Sequence, residues 1–168
     1  MFKVIQAADT KFFLTVFSNY KHTYLSKFAR IISFTGDGWF YLLLVPLVIN
    51  MKPGQASYTL ELAVVGFTLE RVIYFALKHS LRRRRPPKFL SGVESLVTPS
   101  DEFSLPSGHT SAAFFFVTFL TIILSPLFLT LYLWACLVGM SRVILGVHFP
   151  TDIMAGAVIG TSIALAIL

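Results

Sequence analysis

Between Phe103 and Ser141 the chain contains no Lys, Arg, Asp or Glu. The run divides at Ser125-Pro126 into two pieces, each able to cross a hydrocarbon core of about 30 Å. This pattern predicts spanning helices over 107–124 and 127–146 joined by a tight turn. A last apolar stretch, over 152–168, carries Gly156 and Gly160 four apart, a spacing that lets helices approach closely in lipid. Upstream, 56–78 is long enough to span but holds Glu61, Glu70 and Arg71, so those side chains are expected to face protein, water or each other. The segment 38–51 has a shorter apolar run interrupted by Pro46, with Trp39 and Tyr41 placed as interface anchors. Ile5, Ala8, Phe12 and Val16, and then Tyr24, Phe28, Ile31 and Ile32, recur at helical spacing among lysines, which predicts helices lying in the membrane interface.

The pattern therefore predicts an all-α integral membrane protein, a helical bundle of five transmembrane helices or six at most. It is read as a single domain, 1–168. Interfacial helices cover 1–35, the transmembrane core covers 38–168, and one long loop runs from 86 to 105. Composition agrees, with 55% apolar residues and 13% charged, far from the averages of soluble domains. The lone Cys136 excludes an internal disulfide and reads as a small buried apolar residue.

Charge changes the picture more than composition does. Of fourteen Lys and Arg, six lie between Lys78 and Lys88 and five in the first thirty residues. A nucleic-acid reader would carry such cations on a soluble module with stacking aromatics. No such module is present, so the charge points to anionic lipid head groups or a phosphorylated substrate rather than nucleic acid; oligomeric state is not legible. Arg71, Tyr74, Lys78, Arg82 and Arg85 follow spacings of three and four, placing them on one helical face as far as the helix continues. It is expected to end by Arg85, because Pro86 and Pro87 cannot extend it.

Alternating crossings bring three polar clusters to one membrane face: Lys78 to Arg85, Ser107 to His109, and Arg142 to Asp152. Lys78, Arg85 and Arg142 supply cations, Ser107 a hydroxyl, and the start of the third span exposes amide groups suited to an anion. Arginines grip phosphate oxygens with paired donors. One carboxylate, Asp152, is too few for a magnesium or zinc centre, so no metal or other cofactor is expected. Asp152 follows His148 by four residues across Pro150. A turn there would let the carboxylate accept a proton of one ring nitrogen and leave the other as a nucleophile. His109, on the far side of a bound phosphate, could protonate the departing oxygen and then take a proton from water.

Other residues have ordinary readings. Arg82, Arg83 and Arg84 serve as well as a membrane-flanking anchor. Asp37, between two glycines, caps the first span or reaches the site, and the usual preference for that position favours the cap. Asp101 and Glu102 read as a solvated loop edge.

The strings "KHSLRRRRP" (78–86), "PSGH" (106–109) and "SRVILGVHFPTD" (141–152) resemble the three signature motifs of the type 2 phosphatidic acid phosphatase superfamily, in its integral-membrane bacterial branch. The resemblance implies that His148 attacks phosphorus to give a phosphohistidine, oriented by Asp152, with His109 as acid and then base. It also implies that Lys78, Arg85, Ser107, Gly108 and Arg142 hold the phosphate oxygens, without a metal. The implied protein is a lipid phosphate phosphatase of the bacterial inner membrane whose site faces the periplasm. Its substrate would be undecaprenyl pyrophosphate, phosphatidylglycerol phosphate, phosphatidic acid or a similar lipid. A lipid phosphotransferase using the same phosphohistidine, or a non-catalytic binder of anionic lipids, would show the same residues.

Overall fold

The computed structural model describes residues 2–168, and for Phe2 and Lys3 the backbone alone. Among the described residues eight α-helices follow one another: α1 (Phe2–Tyr20), α2 (Tyr24–Thr35), α3 (Gly38–Met51), α4 (Ala56–Leu81), α5 (Pro86–Phe89), α6 (Gly108–Ile123), α7 (Tyr132–Ile144) and α8 (Pro150–Ile167). Short 3₁₀ turns at Pro53–Gln55 and Pro126–Leu131 join α3 to α4 and α6 to α7, so the connection expected to be a tight turn contains a 3₁₀ segment of six residues. Among the described residues two stretches, Pro126–Ile144 and Pro150–Ile167, are long and apolar enough to cross a membrane singly, and α2 and α3, bent by 53°, qualify as a pair. α2 packs against α7. At 26 residues α4 is about 39 Å long, sufficient to cross although it carries charge. Pro46 does not stop α3.

α6 is the centre, packed against α8, α7 and α4. Its contact with α8 is made possible by the two glycines. A Cβ on Gly156 would lie 2.6 Å from the Ser107 carbonyl oxygen, and one on Gly160 would overlap the Ser111 carbonyl. Backbone meets backbone there, as small residues permit in lipid. On the other side of α6, Phe115 and Phe116 join Tyr41 and Phe67 in edge-on and tilted aromatic contacts. Tyr41 is therefore core, not an interface anchor; Trp39, 77% exposed, keeps that position.

The N-terminal helix packs one face on the bundle. Phe13 and Phe17 are buried with Phe149 in one cluster beside the third motif, and Asp9 is buried as well. Cys136, expected inside, is exposed on an apolar helix. Glu70 and Arg71 pair with each other as the pattern required, with distances of 2.5 and 2.7 Å, whereas Glu61 lies exposed near the start of α4.

Candidate active site

α4 delivers the first motif. Its buried residues Ala63, Gly66, Glu70, Tyr74 and Lys78 step by three and four along one face, and the helix stops at Leu81 because Arg82 takes a left-handed conformation (φ 47°). The chain then runs extended to the proline pair. Arg84 pairs with Phe103 and the Ser104 amide donates to the Arg83 carbonyl at 2.8 Å, which folds the long loop back over the arginine run. α6 begins at Gly108, where a Cβ would strike the Tyr74 ring at 2.8 Å; only glycine lets the helix start so close to α4. The Ser107 amide donates to the Asp152 carbonyl at 3.0 Å, tying the second motif to the third. Between α7 and α8 the chain reverses at Gly146, whose φ of +78° suits glycine and few other residues. The Arg142 carbonyl accepts the amides of Val147 and His148, which fixes the turn that presents the imidazole.

All eight residues singled out in the sequence gather at one end of the bundle. His148 is buried, with Nδ1 3.4 Å from Asp152 Oδ2 and Nε2 3.3 Å from Arg85 Nη1. Asp152 meanwhile accepts the Phe149 amide at 2.8 Å, so it caps α8 and faces the imidazole at once. Ser107 Oγ accepts from Thr110 and keeps its own proton to give. Arg142 donates to Ser33 Oγ at 2.5 Å, while its buried Nε has no protein partner. Burial, and after it the cations Arg85, Arg142 and Lys78, hold His148 well below the ordinary histidine range, so the ring is neutral and its lone pair is available. Among the described residues no three His, Cys, Asp or Glu side chains stand close enough to hold a metal ion.

Four acidic or basic residues take places the sequence did not reveal. Asp101, read as a solvated edge, lies inside the cationic cradle. Lys78 Nζ donates to both its oxygens at 2.7 Å, Arg85 Nη2 donates at 2.7 Å and the Tyr74 hydroxyl at 2.5 Å. Burial alone would raise its pKa, but hydrogen bonds from Lys78, Tyr74 and Arg85 outweigh it and hold the carboxyl below the usual range. Only Glu102, paired with Lys88 at the surface, keeps the edge position. Asp37, expected to cap α3, makes no side-chain cap bond; its Oδ1 stands 2.7 Å from His109 Nε2.

Arg83, whose bland role was an anchor, bridges Asp9 at 2.5 Å and Asp152 at 2.7 Å, and Asp9 in turn receives the amide and hydroxyl of Thr151. This places a fork behind Asp152, which Lys cannot copy because an ammonium lacks the planar pair of donors. Arg83→Lys is therefore expected to lower kcat/KM about tenfold, the loss of roughly one hydrogen bond to a charged group, with the folded yield unchanged. An unaltered kcat/KM would show that Arg83 does not orient the carboxylate.

A cavity of about 920 Å³ opens beside the cradle between α3, α4 and α6. Its polar end is formed by Asp37, Arg71, Tyr74 and His109 and its wall by apolar residues such as Leu42, Val45 and Leu60. Leu42 and Leu60 are also exposed on the outer surface, so the cavity opens sideways. His109 and Tyr74 stand between this apolar groove and the cations, an arrangement that can hold a charged head on one side and a hydrocarbon tail on the other.

A membrane bundle built around these three motifs has known counterparts. Residues 59–168 match the PAP2 superfamily model, and the chain belongs to that superfamily. It is 29% identical over 140 residues to the bacitracin transport permease protein BcrC of Bacillus licheniformis, covering 80% of this chain and 68% of that one. With phosphatidylglycerophosphatase B of Bacillus subtilis it shares 33% over 132 residues, 70% of this chain and 62% of that one. With the undecaprenyl-diphosphatase of Sulfolobus acidocaldarius it shares 32% over 108 residues, 60% of this chain but only 50% of that one. Among solved structures, LpxE of Aquifex aeolicus superposes with a TM-score of 0.80 at 28% identity, covering 94% of this chain and 93% of that one. A transmembrane PAP2 type phosphatidylglycerolphosphate phosphatase from Bacillus subtilis gives 0.80 at 25%, covering 98% and 84%.

Proposed function

We propose that this protein removes the terminal phosphate from a membrane lipid through a phosphohistidine on His148. The observation that supports this most is the buried neutral His148 between Asp152 and Arg85, at the end of a groove able to hold a lipid tail. The phosphate sits among Lys78, Arg85, Ser107, the Gly108 amide and Arg142, displacing the Asp101 carboxylate from the first two. His148 Nε2 forms a bond to phosphorus as the bond to the lipid oxygen breaks. His109 gives that oxygen its proton, then takes one from the water that releases phosphate. Preorganised donors of this kind contribute about 3 kcal/mol each to the transition state. The names of the relatives support substrates that are lipid phosphates or diphosphates, and a prenyl pyrophosphate is the favoured one. The setting is the bacterial inner membrane, with the cradle toward the periplasm.

Protein purified in detergent with EDTA present is expected to release phosphate from such a lipid, and His109→Ala to lower the rate by about 10² to 10⁴. Label passing to a lipid acceptor instead of water would make the enzyme a phosphotransferase, and no turnover would leave a lipid-binding protein. The depressed histidine predicts the pH profile too. Because kcat/KM reports the free enzyme, its acid limb, where His148 gains a proton, is expected below the ordinary value of about 6.5. A limb at or above that value would mean that His148 is not held neutral.

A further inference from the structure

Asp37 stands between Gly36 and Gly38, where α2 bends by 53° into α3. Gly36 is set by packing, since a Cβ there would meet the Val138 side chain at 2.6 Å, and this close approach to α7 carries the junction inward. An aspartate at a helix start ordinarily accepts an amide of the first turn, yet Asp37 leaves that role unfilled and turns its carboxylate to His109 Nε2 at 2.7 Å. Both residues line the polar end of the groove.

A simple ion pair does not account for the placement. Arg71 is held by Glu70 and the Gly108 carbonyl, and the Arg142 side chain donates to Ser33. The partner that Asp37 finds is an imidazole.

We infer that Asp37 is the positioning residue for the acid–base histidine, an inference that rests on the phosphatase reading above. Its carboxylate receives the Nε2 proton of His109, fixes the ring plane, and stabilises the imidazolium from which the leaving lipid oxygen takes a proton at Nδ1. When the His148 N–P bond forms and the lipid P–O bond breaks, Nδ1 loses its proton while Nε2–H stays on Asp37. In the second half water gives a proton to Nδ1 as its oxygen attacks phosphorus, the N–P bond breaks and phosphate departs. The described residues thus hold two carboxylate–imidazole pairs, Asp152 with the nucleophile and Asp37 with the proton carrier.

The test compares two leaving groups. A lipid alkoxide needs a proton to depart, whereas p-nitrophenolate departs well as an anion, and kcat/KM covers only the steps through its loss. Asp37→Asn is expected to lower kcat/KM for a long-chain lipid phosphate about 100-fold and for p-nitrophenyl phosphate at least tenfold less, with Asp37→Glu recovering most of the difference. The ratio between the substrates does not depend on how much protein is folded. Equal losses on both, or no loss on either, would overturn the role of Asp37. Absence of turnover by the unaltered protein on both substrates would overturn the phosphatase reading itself, an outcome the variant comparison cannot mimic.

Discussion

His148→Ala purified in detergent is expected to release no phosphate above the background of the assay, the largest loss any single substitution in this chain should produce. The imidazole is buried, and its Nε2 faces Arg85 at 3.3 Å, so no second nucleophile of the described residues stands in its place. His109, the other histidine at the site, has its Nε2 against Asp37 and lies on the groove side of the cradle. Removing a covalent nucleophile from a hydrolase costs on the order of 10⁶ in kcat. Asp152→Asn should cost less, because the nucleophilic imidazole stays in place and the one remaining carbonyl oxygen can still accept from either the Phe149 amide or Arg83, although the other donor is left facing an NH2 and the charge that supports a positive ring is gone. His148→Gly leaves a hole in the shape of the ring, and added imidazole is expected to restore part of the rate. A His148→Ala protein that still turns over lipid phosphate would move the nucleophile elsewhere and end the phosphohistidine mechanism.

Legibility in the sequence followed the range of the interaction. The apolar runs of α6, α7 and α8 and the polar face of α4 carry their periodicity within a few turns, and the three motifs sit at their ends, so the convergence of His148, Asp152, His109 and the three cations could be read from alternation alone. Gly156 and Gly160 were legible as packing devices for the same reason. Asp37, Asp101, Arg83 and Asp9 were not. A single charged side chain has no period of its own, and its partner is decided by where a distant segment returns. Asp101 reaches Lys78 only because the Arg84 to Phe103 pairing folds the loop back, and Asp9 reaches Arg83 only because Phe13 and Phe17 anchor α1 against Phe149. Local propensity favoured a cap for Asp37 and left Arg83 equally able to serve as an anchor, and tertiary pairing decided both. Tyr41 and Cys136 exchanged their expected surroundings because a moderately apolar side chain on a membrane helix reads the same whether it faces protein or lipid.

Gly160→Val should destabilise the fold more than any other substitution outside the charged site. The position faces the backbone of α6, where an added Cβ would overlap the Ser111 carbonyl and stand 2.8 Å from the Phe115 amide nitrogen. Neither of these atoms belongs to a flexible side chain that can swing aside. The two helices must separate, and separation gives up the close contact that holds them together in lipid, where no hydrophobic force replaces it. Overpacking of this kind costs about 3 kcal/mol, which for a chain of this length corresponds to a fall in Tm of roughly 6 to 12 °C. Function should suffer beyond the loss of stability. α8 begins at Pro150 and carries Asp152, while α6 begins at Gly108 and carries His109, so pushing the helices apart moves Asp152 away from His109. In protein held well below its Tm, kcat should therefore fall while vanadate, expected to be held mainly by Lys78, Arg85 and Arg142, none of them on α6 or α8, loses less affinity. A Gly160→Val protein with unchanged Tm and unchanged kcat would show that the α6–α8 contact does not set the geometry of the site.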